Sequence, residues 1–439
     1  MKTFRSLAHP RLVTLMLVLV LSSSLFAQTR IQPPDFDVPY NFPALTNPSP
    51  RAELLQFVDV VALVLALSLA ALFVIRWRSR LAMLILSIAA LAYFGFYREG
   101  CICSIGAIQN ITLALADSSY AVPVTVILFI LLPLLFALFF GRVFCGGACP
   151  LGMIQDVVLI RPVRLPQWLT GALSVVPFLY LGLAVILAAT GTVFIICRFD
   201  PFVSLFRRSG TVTMLVSGVA VVALATVVGR PYCRFLCPYG AVLGLLSRVS
   251  WKHVTITPDD CIVCGLCEDA CPYGAIDKPT AETAVAPRGN ETFRKALVFV
   301  LVFILPLGGA LLGALAGPGL AGTHDTVKLA NRIQAEDAGT LKEFSFESQA
   351  FRNTGQPPQQ LYDEARRIER TFTLATAILG AWGGAVFAMK FFGLNRSTVR
   401  KDYVIRNADC VSCGRCLKAC PHERARLKNL QPPPAVEET

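Results

Sequence analysis

The sequence predicts an all-α polytopic membrane protein with an internal helix-pair repeat, carrying a small α+β module assembled from two separated cysteine-rich segments. Three observations predict it. Of 439 residues, 55% are hydrophobic and only 15% charged, and the apolar residues fall in several runs near the ~20 residues that a bilayer requires. A Gly-Arg element followed by two cysteines occurs twice, 88 positions apart. A four-cysteine element also occurs twice, at 261–272 and 410–421, with two apolar runs between the copies.

Taken in order, Lys2, Arg5 and Arg11 precede an apolar stretch, Leu12 to Leu21, and a small-residue end at Ala27. This is the pattern of a secretory signal peptide over 1–27, or of an uncleaved first anchor. Residues 28–53 are polar and proline-rich (Pro33, Pro34, Pro39, Pro43, Pro48, Pro50) and read as an extended exported segment. About seven transmembrane helices follow, at roughly 54–75, 81–97, 121–140, 168–190, 211–229, 295–316 and 371–393. The first five form a membrane domain over 54–250, and the last two a helix pair over 291–393 with an exported loop at 317–370.

Arg76, Arg78 and Arg80 place the end of the first span on the cytoplasmic side, and alternation puts 141–167, 230–294 and 394–439 there too. Arg142, Arg161, Arg164, Arg230, Arg248, Lys252, Arg294, Arg396, Arg400 and Lys401 agree with that orientation. The loop 191–210 departs from it, since it should be outside yet carries Arg198, Arg207 and Arg208. The formal charge of +12 thus belongs to membrane boundaries, which argues against nucleic acid as a partner and names the lipid bilayer instead. The cysteine segments 251–290 and 394–439 land on the same side, in a multi-pass protein whose C-terminus is cytoplasmic.

Those segments carry the chemistry. Cys261-Ile-Val-Cys264-Gly-Leu-Cys267-Glu-Asp-Ala-Cys271-Pro272 and Cys410-Val-Ser-Cys413-Gly-Arg-Cys416-Leu-Lys-Ala-Cys420-Pro421 have the spacing of the bacterial ferredoxin loop for a [4Fe–4S] cluster. In such a loop three thiolates come from one tight turn, and the cysteine before proline serves the other cluster. One cluster is therefore expected on Cys261, Cys264, Cys267 and Cys420, and a second on Cys410, Cys413, Cys416 and Cys271, in a two-cluster ferredoxin-like module. Gly265 and Gly414 suit close backbone approach, and Pro272 and Pro421 end the loops. Two zinc sites fit poorly, because zinc pairs are usually separated Cys-x2-Cys elements.

The membrane repeat is Gly141-Arg142-Val-Phe-Cys145-Gly-Gly-Ala-Cys149-Pro150-Leu-Gly152, returning as Gly229-Arg230-Pro-Tyr-Cys233-Arg-Phe-Leu-Cys237-Pro238-Tyr-Gly240. Repeats related by pseudo-symmetry put their sites at the repeat interface. Cys145, Cys149, Cys233 and Cys237 are thus a candidate metal or redox site, against structural thiols packed at helix ends; soft thiolates suit copper(I) as well as iron. One span earlier stand Cys101 and Cys103 in the first half and Cys197 beside Asp200-Pro201 in the second, as an outer disulfide or outer redox site. His9, His253, His324 and His422 lie outside the spans, so a haem path across the bilayer has no ligands. Asp59, near the outer end of the first span, is a candidate for a proton route or an interfacial acid.

With the two Gly-Arg-x2-Cys-x3-Cys-Pro elements, the Phe199-Asp200-Pro201-Phe202 loop and the Asp260 to Pro272 motif, the chain resembles the membrane polyferredoxins of the NosR and NapH type. The resemblance covers most of the chain from about residue 55. It implies a bacterial inner-membrane electron carrier with two [4Fe–4S] clusters, passing electrons between a quinol or cytoplasmic donor and an exported acceptor such as a respiratory reductase or flavoprotein. NosR-type proteins carry a large exported flavin-binding domain, for which residues 28–53 are too short. The chain reads as a carrier subunit with no catalytic residues of its own. Two rivals stand beside it: a maturation or regulatory factor that senses redox state or reduces copper for an exported metalloenzyme, and a transporter built on the repeat, weakened by the scarcity of charge in the spans.

Overall fold

A computed structural model describes residues 52–100, 104–118, 120–163, 165–191, 193–207, 209–256, 261–280, 291–322, 324–341, 345–395 and 400–429. The leader over 1–27, the Pro-rich segment through residue 51, and Cys101 and Cys103 lie outside the described residues. The protein is mostly helical. Among the described residues five helices are long and apolar enough to cross a membrane: Leu54–Arg76, Arg80–Tyr97, Gln167–Ala189, Phe299–Ala321 and Pro358–Phe392. The two remaining expected spans are shorter apolar helices, Val124–Phe140 and Val212–Ala225, and Ser104–Ala116 is an apolar helix that the hydropathy reading did not separate.

The elements run α1 (Glu53–Ala71), α2 (Arg80–Ala90), α3 (Ser104–Ala116), α4 (Val124–Phe140), α5 (Val143–Gly147), α6 (Pro150–Val157), α7 (Gln167–Leu173) and α8 (Val176–Ala189). Then come α9 (Ile195–Phe199), α10 (Val203–Arg207), α11 (Val212–Ala225), α12 (Pro231–Phe235), α13 (Pro238–Ser247), α14 (Leu266–Asp269) and the two-residue strand β1 (Ile276–Asp277). The chain continues through α15 (Glu291–Ala321), α16 (Asp325–Asp337), α17 (Phe346–Asn353), α18 (Pro358–Asn395), β2 (Val404–Ile405), α19 (Arg415–Ala419) and α20 (Pro421–Asn429). Both α1 and α2 end in π-helical turns, Leu72–Arg76 and Leu91–Tyr97, the kind of wide turn that re-aims side chains at the end of a helix.

The core of the membrane part is built from Leu63, Leu67 and Ala70 of α1, Met83 of α2, Phe144 and Cys145 of α5, and Tyr239 and Leu243 of α13, all buried. Pro133 interrupts α4 and removes the amide that would bond the Phe129 carbonyl. Ser104 Oγ donates to that carbonyl at 2.8 Å instead, which is how a proline becomes tolerable inside an apolar helix. Next to it, the Tyr239 hydroxyl donates to Ile130 O at 2.7 Å and ties α13 to α4.

A long hairpin of α15 and α18 stands beside this core. The two backbones touch at glycine: a Cβ on Gly309 or Gly380 would overlap the other's carbonyl, and Gly313 and Gly384 face Thr376 and Leu305 in the same way. Small residues every four positions allow such approach where lipid gives no hydrophobic drive between helices. Trp382 Nε1 donates to Phe178 O at 2.7 Å and secures the hairpin to α8. Gly317-Pro318-Gly319-Leu320-Ala321-Gly322 has the spacing of a dinucleotide fingerprint, yet it closes a 31-residue helix rather than following a strand, so it carries no such chemistry. At the hairpin's far end α16 and α17 form a small cap around Val327, Ile333 and Leu361. There His324 is the N-cap of α16, its Nδ1 accepting from Thr326 N at 3.3 Å.

Candidate iron–sulfur sites

The two halves of the cysteine module meet although about 150 residues separate them in sequence. Strands β1 and β2 pair antiparallel, with Ile276 opposite Ile405 and Asp277 opposite Val404. Arg400 bridges Asp277 at 2.8 Å, and Arg406 N donates to Ala275 O at 2.8 Å. The two loops share one backbone course. Val263 and Ser412 both have φ 54°, and Gly265 and Gly414 follow at 78° and 73°, each glycine capping the short helix that carries the third cysteine of its loop. Left-handed φ at non-glycine residues is costly and marks a backbone wrapped around something.

Three cavities are each walled by four cysteines. The first is lined by Cys261, Cys264, Cys267 and Cys420, with Tyr403 and His422 at its edge. The second is lined by Cys271, Cys410, Cys413 and Cys416, with Tyr273 and Val254. Each loop therefore supplies three cysteines to one cavity and its pre-proline cysteine to the other. The third lies in the membrane part and brings together Cys145, Cys149, Cys233 and Cys237 under Phe144, Tyr239 and Leu243. Cys197 borders none of them and is exposed at the surface.

The donor chemistry fits a cluster better than a single ion. Among the described residues no three His, Cys, Asp or Glu side chains converge as a mononuclear site requires, and around one zinc at ~2.3 Å the sulfurs stand only ~3.8 Å apart. A four-iron cube holds its thiolates farther apart. Burial pushes the Cys267 thiol up to about 11 and the Cys410 thiol up to about 12. At neutral pH these would stay protonated, and bound iron would supply the positive charge that releases the protons.

The membrane cavity is organised by reciprocal exchange between the repeats. Pro150 and Pro238 start α6 and α13, with Cys149 and Cys237 as their N-caps; the Cys237 Sγ accepts from Gly240 N at 3.2 Å. The guanidinium of Arg142, from the first repeat, lies over Gly240 of the second, and that of Arg230 lies over Gly152 of the first. A Cβ on either glycine would come within 3.0 to 3.1 Å of the arginine. Arg230, 1% exposed, pairs with Asp156 at 2.7 Å and also donates to the Cys145 carbonyl. Gln155 donates to Cys233 Sγ at 3.3 Å and accepts from Tyr232 N at 3.1 Å.

The module docks against this cavity. Tyr273, one residue past Pro272, donates to Asp156 at 2.6 Å. Gly146 leaves no room for a Cβ against the Val411 carbonyl, and Gly229 packs on Pro272. Arg80 donates to Cys413 O at 2.9 Å and Arg78 bridges Glu423 at 2.5 Å, so two of the arginines that follow the first apolar helix also hold the module. Gln155, Asp156 and Tyr273 were not singled out by spacing. The available signals were an acid inside the apolar stretch 151–160 and an aromatic after each of two Cys-Pro steps, Tyr239 and Tyr273. Asp59 is buried and paired, with Arg98 at 2.8 Å and the Tyr93 hydroxyl at 2.8 Å.

Comparison with known proteins agrees with this geometry. A 4Fe-4S binding domain matches residues 122–166 and again 211–256, one copy for each membrane repeat, and a second 4Fe-4S binding domain matches 254–277. An uncharacterized protein of Methanocaldococcus jannaschii is 29% identical over 189 residues, 41% of this chain and 76% of its own length. The putative electron transport protein YccM of Escherichia coli is 29% identical over 154 residues, 31% of this chain and 43% of its length. The methylamine utilization ferredoxin-type protein MauN of Methylobacillus flagellatus is 28% identical over 142 residues, 31% of this chain and 50% of its length. The chain thus spans half or less of these last two relatives. No solved structure matches. With 4Fe-4S binding domains matched in both membrane repeats and in the first half of the cysteine module, and with helices apolar enough to cross a bilayer, the chain is similar to membrane-associated ferredoxin-type electron transport proteins.

Proposed function

We propose that the chain is a membrane-bound electron relay of three thiolate-held centres. It carries electrons between a quinol or cytoplasmic donor and an exported acceptor, in the inner membrane of a bacterium with its C-terminus in the cytoplasm. Two [4Fe–4S] clusters are held by Cys261, Cys264, Cys267 and Cys420 and by Cys410, Cys413, Cys416 and Cys271; Cys145, Cys149, Cys233 and Cys237 hold the third. Bound there, such centres supply one-electron carriers of widely tunable potential.

The observation that carries this reading is the set of three four-cysteine cavities, two of which exchange their pre-proline cysteines. Their order follows from shared residues. Cys267 and Cys271 lie on one loop and join the first cavity to the second. Val411, between Cys410 and Cys413, rests on Gly146 beside Cys145 and joins the second to the third. The middle site is therefore read as the link between the outer two. The cytoplasmic assignment is supported by Arg78 and Arg80, which hold the module at a basic inter-span loop.

Anaerobic purification with iron and sulfide counts tests the number of centres. About twelve irons per chain are expected, about eight would leave only the two module clusters, and zinc in their place would sink the reading. Cys420→Ser tests the crossed ligation: it should damage the cluster of the 261–267 loop, and survival of that cluster's EPR signal unchanged would refute the exchange.

A further inference from the structure

We infer that Arg142 sets the reduction potential of the centre on Cys145, Cys149, Cys233 and Cys237, as the cation in that cavity's wall that carries no ion pair among the described residues. This rests on the reading of the cavity given above. Arg142 is 7% exposed and forms part of the cavity wall. Its Nη2 stands 3.7 Å from Cys145 Sγ, and its Nη1 donates to Ala408 O at 2.8 Å, two residues before Cys410. Its buried Nε has no partner, and among the described residues no carboxylate lies within ion-pair distance of it. The nearby acid Asp409 is paired with Arg406 at 3.1 Å.

The contrast with Arg230 is what singles Arg142 out. Arg230 holds the equivalent place in the second repeat and is neutralised by Asp156 at 2.7 Å. The position equivalent to Asp156 in the second repeat is Gly244, where a Cβ would come 3.1 Å from Ala408 O. Room for the docked loop thus replaces the acid, and Arg142 receives a neutral carbonyl where Arg230 receives a carboxylate. A buried guanidinium without an anion is costly, and the anions at hand are the thiolates. Reduction brings one electron from the neighbouring centre and no proton, adding one negative charge to a water-poor cavity. A fixed positive charge at its wall favours that state.

The test is an EPR-monitored redox titration of the purified full chain, wild type against Arg142→Gln and Arg142→Lys. In the glutamine variant the third centre should become at least tenfold harder to reduce, ~59 mV lower for one electron. The lysine variant, which keeps the charge, should stay within that margin, and the centre on Cys261, Cys264, Cys267 and Cys420 should not move in either. An unmoved potential in Arg142→Gln, an equal fall in Arg142→Lys, or an equal shift at the remote centre would overturn the inference. Should Arg142→Gln fail to load, the lysine variant decides alone: a potential at the wild-type value supports the charge role and a tenfold shift refutes it. About eight irons in the wild type would remove the third centre and the inference together, whereas about twelve irons with unmoved potentials would remove the inference only.

Discussion

Replacing Gly229 by alanine probes the seam between the membrane repeats and the cysteine module. A Cβ at this position would stand 2.7 Å from the Pro272 carbonyl oxygen and 3.1 Å from Pro272 Cβ. Carbon and oxygen rest at ~3.3–3.6 Å when they touch without strain, so the 271–274 loop must retreat by roughly 0.6 to 0.9 Å. Both atoms belong to backbone or to a proline ring and cannot rotate away. Overpacking of this kind costs ~1–3 kcal/mol, which at ~1.4 kcal/mol per decade is a ~5- to 150-fold shift in the opening equilibrium. Hydrogen exchange reads that shift directly: the amides around Cys271 to Asp277 should exchange faster by that factor, and, with Cys271 as the proposed ligand, the EPR signal of the middle centre should broaden. Gly171→Ala is the matched control, since nothing lies within 4 Å of a Cβ there. Unchanged exchange in Gly229→Ala, or equal acceleration in both variants, would refute the docking geometry.

Three further outcomes follow from the same contacts. Asp156→Asn strands Arg230 in a site where both side chains are buried, and should cost ~3–5 kcal/mol in denaturant-dependent unfolding of the solubilised protein; a loss under ~1 kcal/mol would contradict the buried pair. The pH dependence has a definite sign: burial pushes the Asp156 carboxyl up, but Arg230 and the Tyr273 hydroxyl overcome this and hold it below the ordinary range. Its contribution is therefore fully present above ~3.9 and is lost only as pH falls through the depressed folded value, so unfolding midpoints in Asp156→Asn and wild type should converge at that acid end. Gly380→Val should splay the α15–α18 hairpin, seen as faster proteolysis of the 317–370 segment with the cluster signals intact; loss of the clusters first would place the hairpin in the core of the fold.

The cysteine cavities were legible because ligand spacing is a local property: three thiolates from one turn and a fourth before proline are written in 12 residues. The 88-residue offset of Cys145 and Cys149 was equally local to each copy. What spacing could not give is what lies across the repeat axis. Gln155 bonds Cys233, and Asp156 bonds both Arg230 and Tyr273, partners 74 to 117 positions away that no periodicity links. Helix lengths were also only partly readable. Apolar runs near 121–140 and 211–229 form helices of 17 and 14 residues, because the Gly141 and Gly229 turns divert the chain into the cysteine elements before a full span is completed. The glycine spacing of α15 and α18 was present in the sequence, but only their pairing shows which glycines face each other.

The reciprocal seating of Arg142 over Gly240 and Arg230 over Gly152 has an ancestral implication. Neither half is complete alone, yet each supplies what the other lacks, which is the logic of an isologous two-fold dimer. One Gly-Arg-x2-Cys-x3-Cys-Pro-x-Gly unit, paired with a second copy of itself, would already bring four thiols together. Two such units joined in one chain can differ, and the acid at 156 against the glycine at 244 is one place where they do. The glycine side is the one against which Ala408 of the module rests.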